Sequence, residues 1–307
     1  MRNAYLSALY NLAKNNKQIM ALISDNGAIV YDKYCAAFPA QYLNCGISEA
    51  NMIGVAAGLA SCGKIPFAYT ISNFLVYRAF EQIRNDVCLQ RMNVKLVGIG
   101  VGFVYSALGP THHGTEDIAL MRSLPGMTVF SPCDPLETKK VTEAAARING
   151  PVYLRLATGG TPVIYDKDYD FAAGRAVELA SGRDITLVST GSIVYETLLA
   201  ARELEKAGIS ARLLNYHTIK PFDRSAIVKA ARETGRILVV EEQNVAGALG
   251  SAVAEALLEE GAGAVKFRRM GLQDRFTEGY GTYDDLKELN GLSRAHIMAA
   301  VKEMVRA

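Results

Sequence analysis

The chain has 307 residues, half of them hydrophobic, with a formal net charge of +2 and five scattered cysteines. This length fits about two domains, and the balanced charge without a basic block argues against nucleic acid or a membrane surface as a partner. The cysteine count is odd and includes no CxxC pair, which argues against disulfides and a zinc site. The sequence has no hydrophobic signal core and no apolar run of ~20 residues, so we predict a cytoplasmic protein without a membrane span.

Helix and strand patterns alternate along almost the whole chain. This alternation predicts an α/β fold of two consecutive domains, each with a parallel sheet covered by helices. For a first domain over residues 1–160 we expect helices at 2–15 and 73–91 and helices that begin near Glu49, Asp117 and Pro135. The strands expected there lie at 18–24, 65–69, 94–101 and 152–156, the last of which should close the sheet.

Residues 161–172 break the alternation and are predicted to be a linker. A second domain over residues 173–307 then repeats the strand–helix pattern. Its expected strands lie at 184–189, 211–215, 237–241 and 265–269, and its expected helices at 192–206, 224–233, 247–259 and 293–306.

Residues 44–60 predict a turn at Gly46 and then a helix rich in small side chains. Ser48 is the expected N-cap of this helix, and Gly63 is its expected stop. Because an exposed helix would carry Lys and Glu at these positions, we expect this one to be buried. Glu49 would then be an acid in a buried first turn, which requires a specific reason.

Two of the four histidines, His112 and His113, lie in one glycine-containing loop after a predicted strand. Loops at strand ends often carry the chemistry of α/β proteins, but an ordinary surface loop fits this segment equally well. Phe74 and Tyr77 are three residues apart and by themselves favour a core stripe. The glycine turns at 98–102 and 190–192 lack complete phosphate-binding motifs, so we interpret them as tight turns.

Six segments occur in a recognisable order: GISEANM at 46–52, RAFEQIR at 78–84, GPTHH at 109–113, EDIALMR at 116–122, PCDPLET at 132–138, and EEQ at 241–243 followed by GALGS at 247–251. Together they resemble the C-terminal half of transketolase, its pyrimidine-binding domain followed by its C-terminal domain. The resemblance covers essentially the whole chain.

This resemblance implies thiamine diphosphate as the cofactor. Glu49 matches the catalytic glutamate that hydrogen-bonds the pyrimidine N1′ and promotes the tautomer that activates the cofactor. Phe74 matches the aromatic residue that stacks on the aminopyrimidine, and Tyr77 a second ring nearby. Ile71 falls where the family has a third aromatic residue, and Asn26 falls where the family lines the cofactor.

The resemblance also implies residues for the substrate. His112 matches the catalytic histidine that contacts the donor ketose, either by hydrogen bonding to the oxygen that gains charge or by proton relay. His113 replaces a glutamine that is usual next to it, and Arg2 matches an arginine that binds the substrate phosphate. The resemblance implies no metal ligand in this chain.

Three positions depart from the family pattern. Leu108 replaces an aspartate that contacts substrate hydroxyls, and Gly100 and Thr158 fall where the family has a phosphate-binding histidine and arginine. The loss of two cationic groups argues against an ordinary sugar phosphate whose phosphate is held at these positions. We therefore expect an altered donor or acceptor, such as a differently placed phosphate, a sulfonated or branched sugar, or a nucleotide-linked sugar.

The GDG motif that binds magnesium and the diphosphate in this family is absent from the sequence. The resemblance thus implies a separate N-terminal partner subunit that holds Mg²⁺ or Ca²⁺, most simply in a heterotetramer of two of each chain. Two alternatives remain open: the β subunit of a 2-oxoacid dehydrogenase, and a non-catalytic partner that retains the fold. Residues 109–112 favour transketolase or deoxyxylulose-phosphate synthase over the dehydrogenase.

Overall fold

The computed structural model describes residues 1–306, except for the side chain of Ala28. Two sheets, one of seven strands and one of five, organise this part of the chain, and the predicted α/β fold of two domains is confirmed. Within residues 1–306, no helix combines the length and the apolar character needed to cross a membrane.

The strands are β1 (Ile19–Ile23), β2 (Tyr42–Asn44), β3 (Ile65–Ile71), β4 (Lys95–Ile99), β5 (Thr128–Phe130), β6 (Val152–Leu156), β7 (Val177–Ala180), β8 (Ile185–Ser189), β9 (Ala211–Asn215), β10 (Thr218–Lys220), β11 (Arg236–Asn244) and β12 (Lys266–Leu272). The helices are α1 (Arg2–Asn15), α2 (Asp32–Ala37), α3 (Glu49–Ser61), α4 (Ser72–Arg78), α5 (Phe80–Gln82), α6 (Asp117–Ser123), α7 (Pro135–Arg147), α8 (Val194–Lys206), α9 (Arg224–Thr234), α10 (Leu249–Glu259), α11 (Tyr283–Leu289) and α12 (Arg294–Arg306).

The first sheet has the order β10-β5-β6-β4-β3-β1-β2 and is parallel except for β10. The prediction that the strand at 152–156 closes the sheet is wrong, because β6 lies between β4 and β5. Strand β5 has only three residues, too few for a periodic pattern to reveal it. Strand β10 comes from the second half of the chain, and its Thr218 pairs antiparallel with Phe130 of β5.

The second sheet has the order β12-β11-β8-β9-β7, with β7 antiparallel at one edge. Because β10 joins the first sheet, backbone hydrogen bonds cross between the two halves of the chain. The boundaries at 1–160, 161–172 and 173–307 stay a prediction. Ala307, the last residue of the predicted second domain, lies outside the described residues.

The single long helix predicted at 73–91 is wrong. Helix α4 ends at Arg78, Ala79 has φ −117° and ψ 17°, and after the short α5 the residues Ile83–Leu89 form a π-helix. The apolar pattern did not reveal this break because α4, α5 and the π-segment all pack apolar side chains into one core. Since α4 follows β3 directly, it carries its side chains to the carboxyl edge of the first sheet.

Helix α3 is buried on one side only. Its buried residues are Glu49, Met52, Ile53, Ala56 and Ala57. Gly54 and Gly58 lie on the exposed side with open space around them, so the expectation of a buried helix is right for one face of α3 and wrong for the other. Ser48 occupies the N-cap position, but its hydroxyl donates to the carbonyl of Cys45 at 2.8 Å instead of capping the helix.

Candidate active site

Glu49 begins α3 at the carboxyl edge of the first sheet, and its side chain is only 4% exposed. Its Oε2 accepts a hydrogen bond from Nη1 of Arg78 at 3.1 Å, in an ion pair. Its Oε1 lies 3.4 Å from the hydroxyl of Ser24, which also lies 2.6 Å from the hydroxyl of Thr70. The buried carboxylate therefore has one strong partner and one long, shared contact.

Aromatic contacts connect this carboxylate to the His112 loop. The guanidinium carbon of Arg78 lies 3.9 Å from the ring centroid of Phe74, in a cation–π contact. The ring of Phe74 meets His112 edge to face with centroids 5.1 Å apart, and His112 meets Tyr105 at 6.3 Å. We call Glu49, Arg78, Phe74, His112 and Tyr105 the site row.

His112 is half-buried in the middle of this row. Burial lowers its pKa, and the positive charge of Arg78 lowers it further. The imidazole is therefore neutral at pH 7 and able both to accept and to donate a proton. Because Nδ1 lies 2.9 Å from the hydroxyl of Thr111, Nε2 is the ring nitrogen available to a substrate.

Asn73, the residue before Phe74, hydrogen-bonds to the loop that carries His112. The buried Asn73 amide donates to the carbonyl of His113 at 2.9 Å and to the carbonyl of Thr111 at 3.2 Å. The end of this loop also packs closely against α4, because a Cβ on Gly114 would lie only 2.6 Å from the hydroxyl of Ser72. Helix α4 thus positions both the Phe74 ring and the histidine loop.

Tyr105 covers the position of Gly100. Gly100 has φ +78°, and a side chain there would overlap the Tyr105 ring. Burial raises the pKa of Tyr105 and of Tyr69, while the charge of Arg2 acts in the opposite direction on both. The positive charge of Arg2 therefore acts on both phenols, of which Tyr105 stands at the end of the site row opposite Glu49. Leu108 is 51% exposed on the same loop as Tyr105.

Two predicted site residues make their polar contacts outside the site row. His113 is 1% exposed, and its Nδ1 lies 2.5 Å from the hydroxyl of Thr277 in the second half of the chain. Tyr77 donates its phenol to the carboxylate of Glu116. Their assignment to substrate and cofactor stays a prediction.

Ile71 and Asn26 lie at the same sheet edge as Glu49. Ile71 is the last residue of β3 and pairs in register with Ile99 of β4, and Asn26 follows the end of β1. These positions agree with a lining role, which stays a prediction for both residues. Within residues 1–306, no group of three His, Cys, Asp or Glu side chains is placed to hold a metal ion.

Sequence reasoning assigned no role to Arg78, Asn73 or Tyr105. Arg78 lies four residues after Phe74 on a helix, a spacing that places two side chains on one face and could have revealed their contact. Asn73 and Tyr105 gave no comparable signal, because their partners lie across loops whose path the sequence does not show.

Two family models cover nearly all of the chain. The model described as the transketolase pyrimidine binding domain matches residues 1–162, and that of the transketolase C-terminal domain matches residues 174–297. The chain belongs to the transketolase family. Proteins of this family use thiamine diphosphate.

Two relatives match this chain over nearly the whole length of both proteins. The chain is 39% identical to a 6-deoxy-6-sulfo-D-fructose transketolase subunit from a Clostridium species (strain MSTE9), over 99% of this chain and 94% of that protein. It is 36% identical to one subunit of the apulose-4-phosphate transketolase from Phocaeicola vulgatus, over 99% and 97% of the two chains.

A solved structure agrees with these relatives. A split gene transketolase, described as an inactive beta4 tetramer, is 40% identical and superposes with a TM-score of 0.90 over 99% of this chain and 97% of that chain. The predicted resemblance to a subunit of a split transketolase is therefore confirmed, and this chain carries the two domains of such a subunit.

Proposed function

We propose that this transketolase chain holds the pyrimidine end of thiamine diphosphate and takes part in moving a two-carbon ketol unit from a ketose to an aldose. The observation that carries the proposal is the pairing of buried Glu49 with the face of Phe74. A flat guanidinium that donates a hydrogen bond already spans both groups. A flat aminopyrimidine needs the same two contacts, so these residues fit the cofactor.

Three residues of the site row then have a chemical task. Glu49 holds and returns a proton at the pyrimidine N1′, with the Ser24 hydroxyl beside its second oxygen. Phe74 stacks on the ring and contributes about 0.5–1.5 kcal/mol beyond area burial. Thiamine diphosphate supplies, when bound, the nucleophilic carbon that adds to the ketose carbonyl. Neutral His112 moves a proton to or from the sugar oxygen that gains charge.

A partner subunit completes this site. It would supply the ligands for the diphosphate and Mg²⁺ (or Ca²⁺), in a heterotetramer of two chains of each kind. The surface around Glu49 supports this assembly: Gly54 and Gly58 leave space on α3, and the nearby Ile47 is 77% exposed. An apolar surface with small residues fits a protein interface. The cytoplasmic location stays a prediction.

The residues around Gly100, Leu108 and Thr158, at the substrate end of the site, favour a sugar that ordinary transketolases do not use. A neutral phenol, Tyr105, covers Gly100, the side chains of Leu108 and Thr158 contribute no charge, and the positive charge of Arg2 acts on Tyr105. Two relatives are named for a sulfonated fructose and for apulose 4-phosphate. We propose a substrate of that kind, with its anionic group directed toward Arg2.

Reconstitution with the partner subunit tests this function. The purified pair, with thiamine diphosphate and Mg²⁺, would be assayed for ketol transfer from xylulose 5-phosphate to ribose 5-phosphate, and then from 6-deoxy-6-sulfofructose and apulose 4-phosphate. We expect kcat/KM to be at least about tenfold higher for one of the latter two. Either protein of the pair by itself is the control. Ordinary transketolase efficiency with the first pair of sugars would overturn the substrate assignment.

A further inference from the structure

We propose that Arg78 is a placeholder for the aminopyrimidine. Its guanidinium occupies the place of that ring, and it must leave before the cofactor binds. This inference rests on the proposed function, because it concerns the same two groups, Glu49 and Phe74. It adds a residue that competes with the cofactor and thereby sets its affinity.

The geometry leaves no space for both groups. The guanidinium carbon of Arg78 lies 3.9 Å from the Phe74 centroid, a stacking distance with no room for a second flat ring between them. The same guanidinium bonds Oε2 of Glu49 at 3.1 Å, while Oε1 faces Ser24. A pyrimidine that stacks on this face of Phe74 and hydrogen-bonds Glu49 must therefore displace Arg78 from both contacts.

The position of Arg78 at the protein surface allows its side chain to move away from Glu49 and Phe74. Its side chain is 49% exposed, whereas that of Glu49 is 4% exposed, so the arginine reaches in from the surface to a buried acid. Arg78 is the last residue of α4, and Ala79 after it has left helical geometry. The side chain can thus turn into solvent without moving the core. Until then it pairs a carboxylate that would be costly to leave buried and unpaired.

The affinity of the reconstituted pair for cofactor tests this proposal without relying on turnover. Calorimetry with thiamine diphosphate and saturating Mg²⁺ would compare the wild type with Arg78→Ala, Arg78→Lys and the matched control Arg84→Ala. Arg84 is an exposed arginine that bonds only to its neighbour Asn85 among the described residues.

We expect the Kd of Arg78→Ala to be about 3- to 30-fold lower than that of the wild type, because the ion pair of the half-exposed Arg78 with Glu49 and its cation–π contact with Phe74 no longer compete. Arg78→Lys, which keeps the charge but not the flat stack, should lie between the two, and Arg84→Ala should match the wild type. Weaker or unchanged binding by Arg78→Ala would overturn the proposal.

A second measurement uses the full chain alone. A double-mutant cycle of Arg78→Ala and Glu49→Gln would be followed by thermal unfolding. We expect Arg78→Ala to lower Tm by about 1–3 °C in the wild-type background and by less in the Glu49→Gln background. Additive shifts would overturn the Arg78–Glu49 contact. A pair that binds cofactor but transfers no ketol unit would instead overturn the proposed function and leave the Arg78 result standing.

Discussion

The site row and the junction between the two halves of the chain use the same type of ion pair for opposite purposes. At the junction, Asp117 and Arg155 are 0% and 2% exposed and lie 3.0 Å apart. Asp117 also accepts from the Tyr153 phenol at 2.7 Å and from the Gln243 amide at 2.8 Å. We call these four residues the polar junction.

In the polar junction every oxygen of the carboxylate has strong donors, one of which comes from strand β11 in the second sheet. In the site row, Glu49 has a half-exposed arginine and one long hydroxyl contact. A saturated buried network resists change because losing one member leaves the others unpaired. An incompletely paired acid can exchange its partner and its proton, which a cofactor site requires.

The largest expected effect is on the stability of the polar junction. Arg155→Met would leave Asp117 buried without its cation, and we expect the free energy of unfolding to fall by about 3–5 kcal/mol. Urea denaturation of the isolated chain measures this loss. Lys139→Met, which removes an exposed pair with Glu143, is the matched control and should change the free energy of unfolding by less than about 1 kcal/mol. Equal losses in the two variants would contradict the comparison.

The next effect concerns activity instead of stability. Glu49→Gln keeps the shape of the side chain but removes the proton exchanged with the pyrimidine, so kcat of the reconstituted pair should fall about 10²- to 10³-fold. Steady-state kinetics at saturating cofactor measures this, and circular dichroism with thermal unfolding checks that the fold persists. Full turnover by Glu49→Gln would refute the role of this residue.

A smaller effect should follow from loosening the histidine loop. Asn73→Ala removes two hydrogen bonds to loop carbonyls without touching the site row, and kcat/KM for the ketose should fall about tenfold. The Kd for cofactor should stay within about twofold, because Glu49 and Phe74 keep their positions. Asn85→Ala, on the surface of the π-helical segment, is the control. A loss of cofactor affinity equal to the loss in kcat/KM would show that Asn73 supports the fold of α4 and not the loop alone.

The sequence by itself determined the alternation of strands and helices and the two-domain α/β fold, and it selected Glu49, Phe74 and His112 as candidate site residues. Apolar periodicity reports which segments bury one face, and it placed α1 at residues 2–15 as the structure has it. Glu49 and His112 could be selected because each lies in a local motif, and Phe74 because it falls where the resembled family has its stacking aromatic residue. The structure then brought all three into one row of contacts.

Only the tertiary structure decided what completes the row. Tyr105 packs over Gly100, and β10 joins the first sheet. Both contacts form between segments whose proximity in space is not visible in any local sequence pattern. The same holds for the break at Ala79 and for the contact of Arg78, the residue before it, with Glu49. Motifs name the residues that a reaction needs, whereas packing across loops and between strands decides which other side chains reach them.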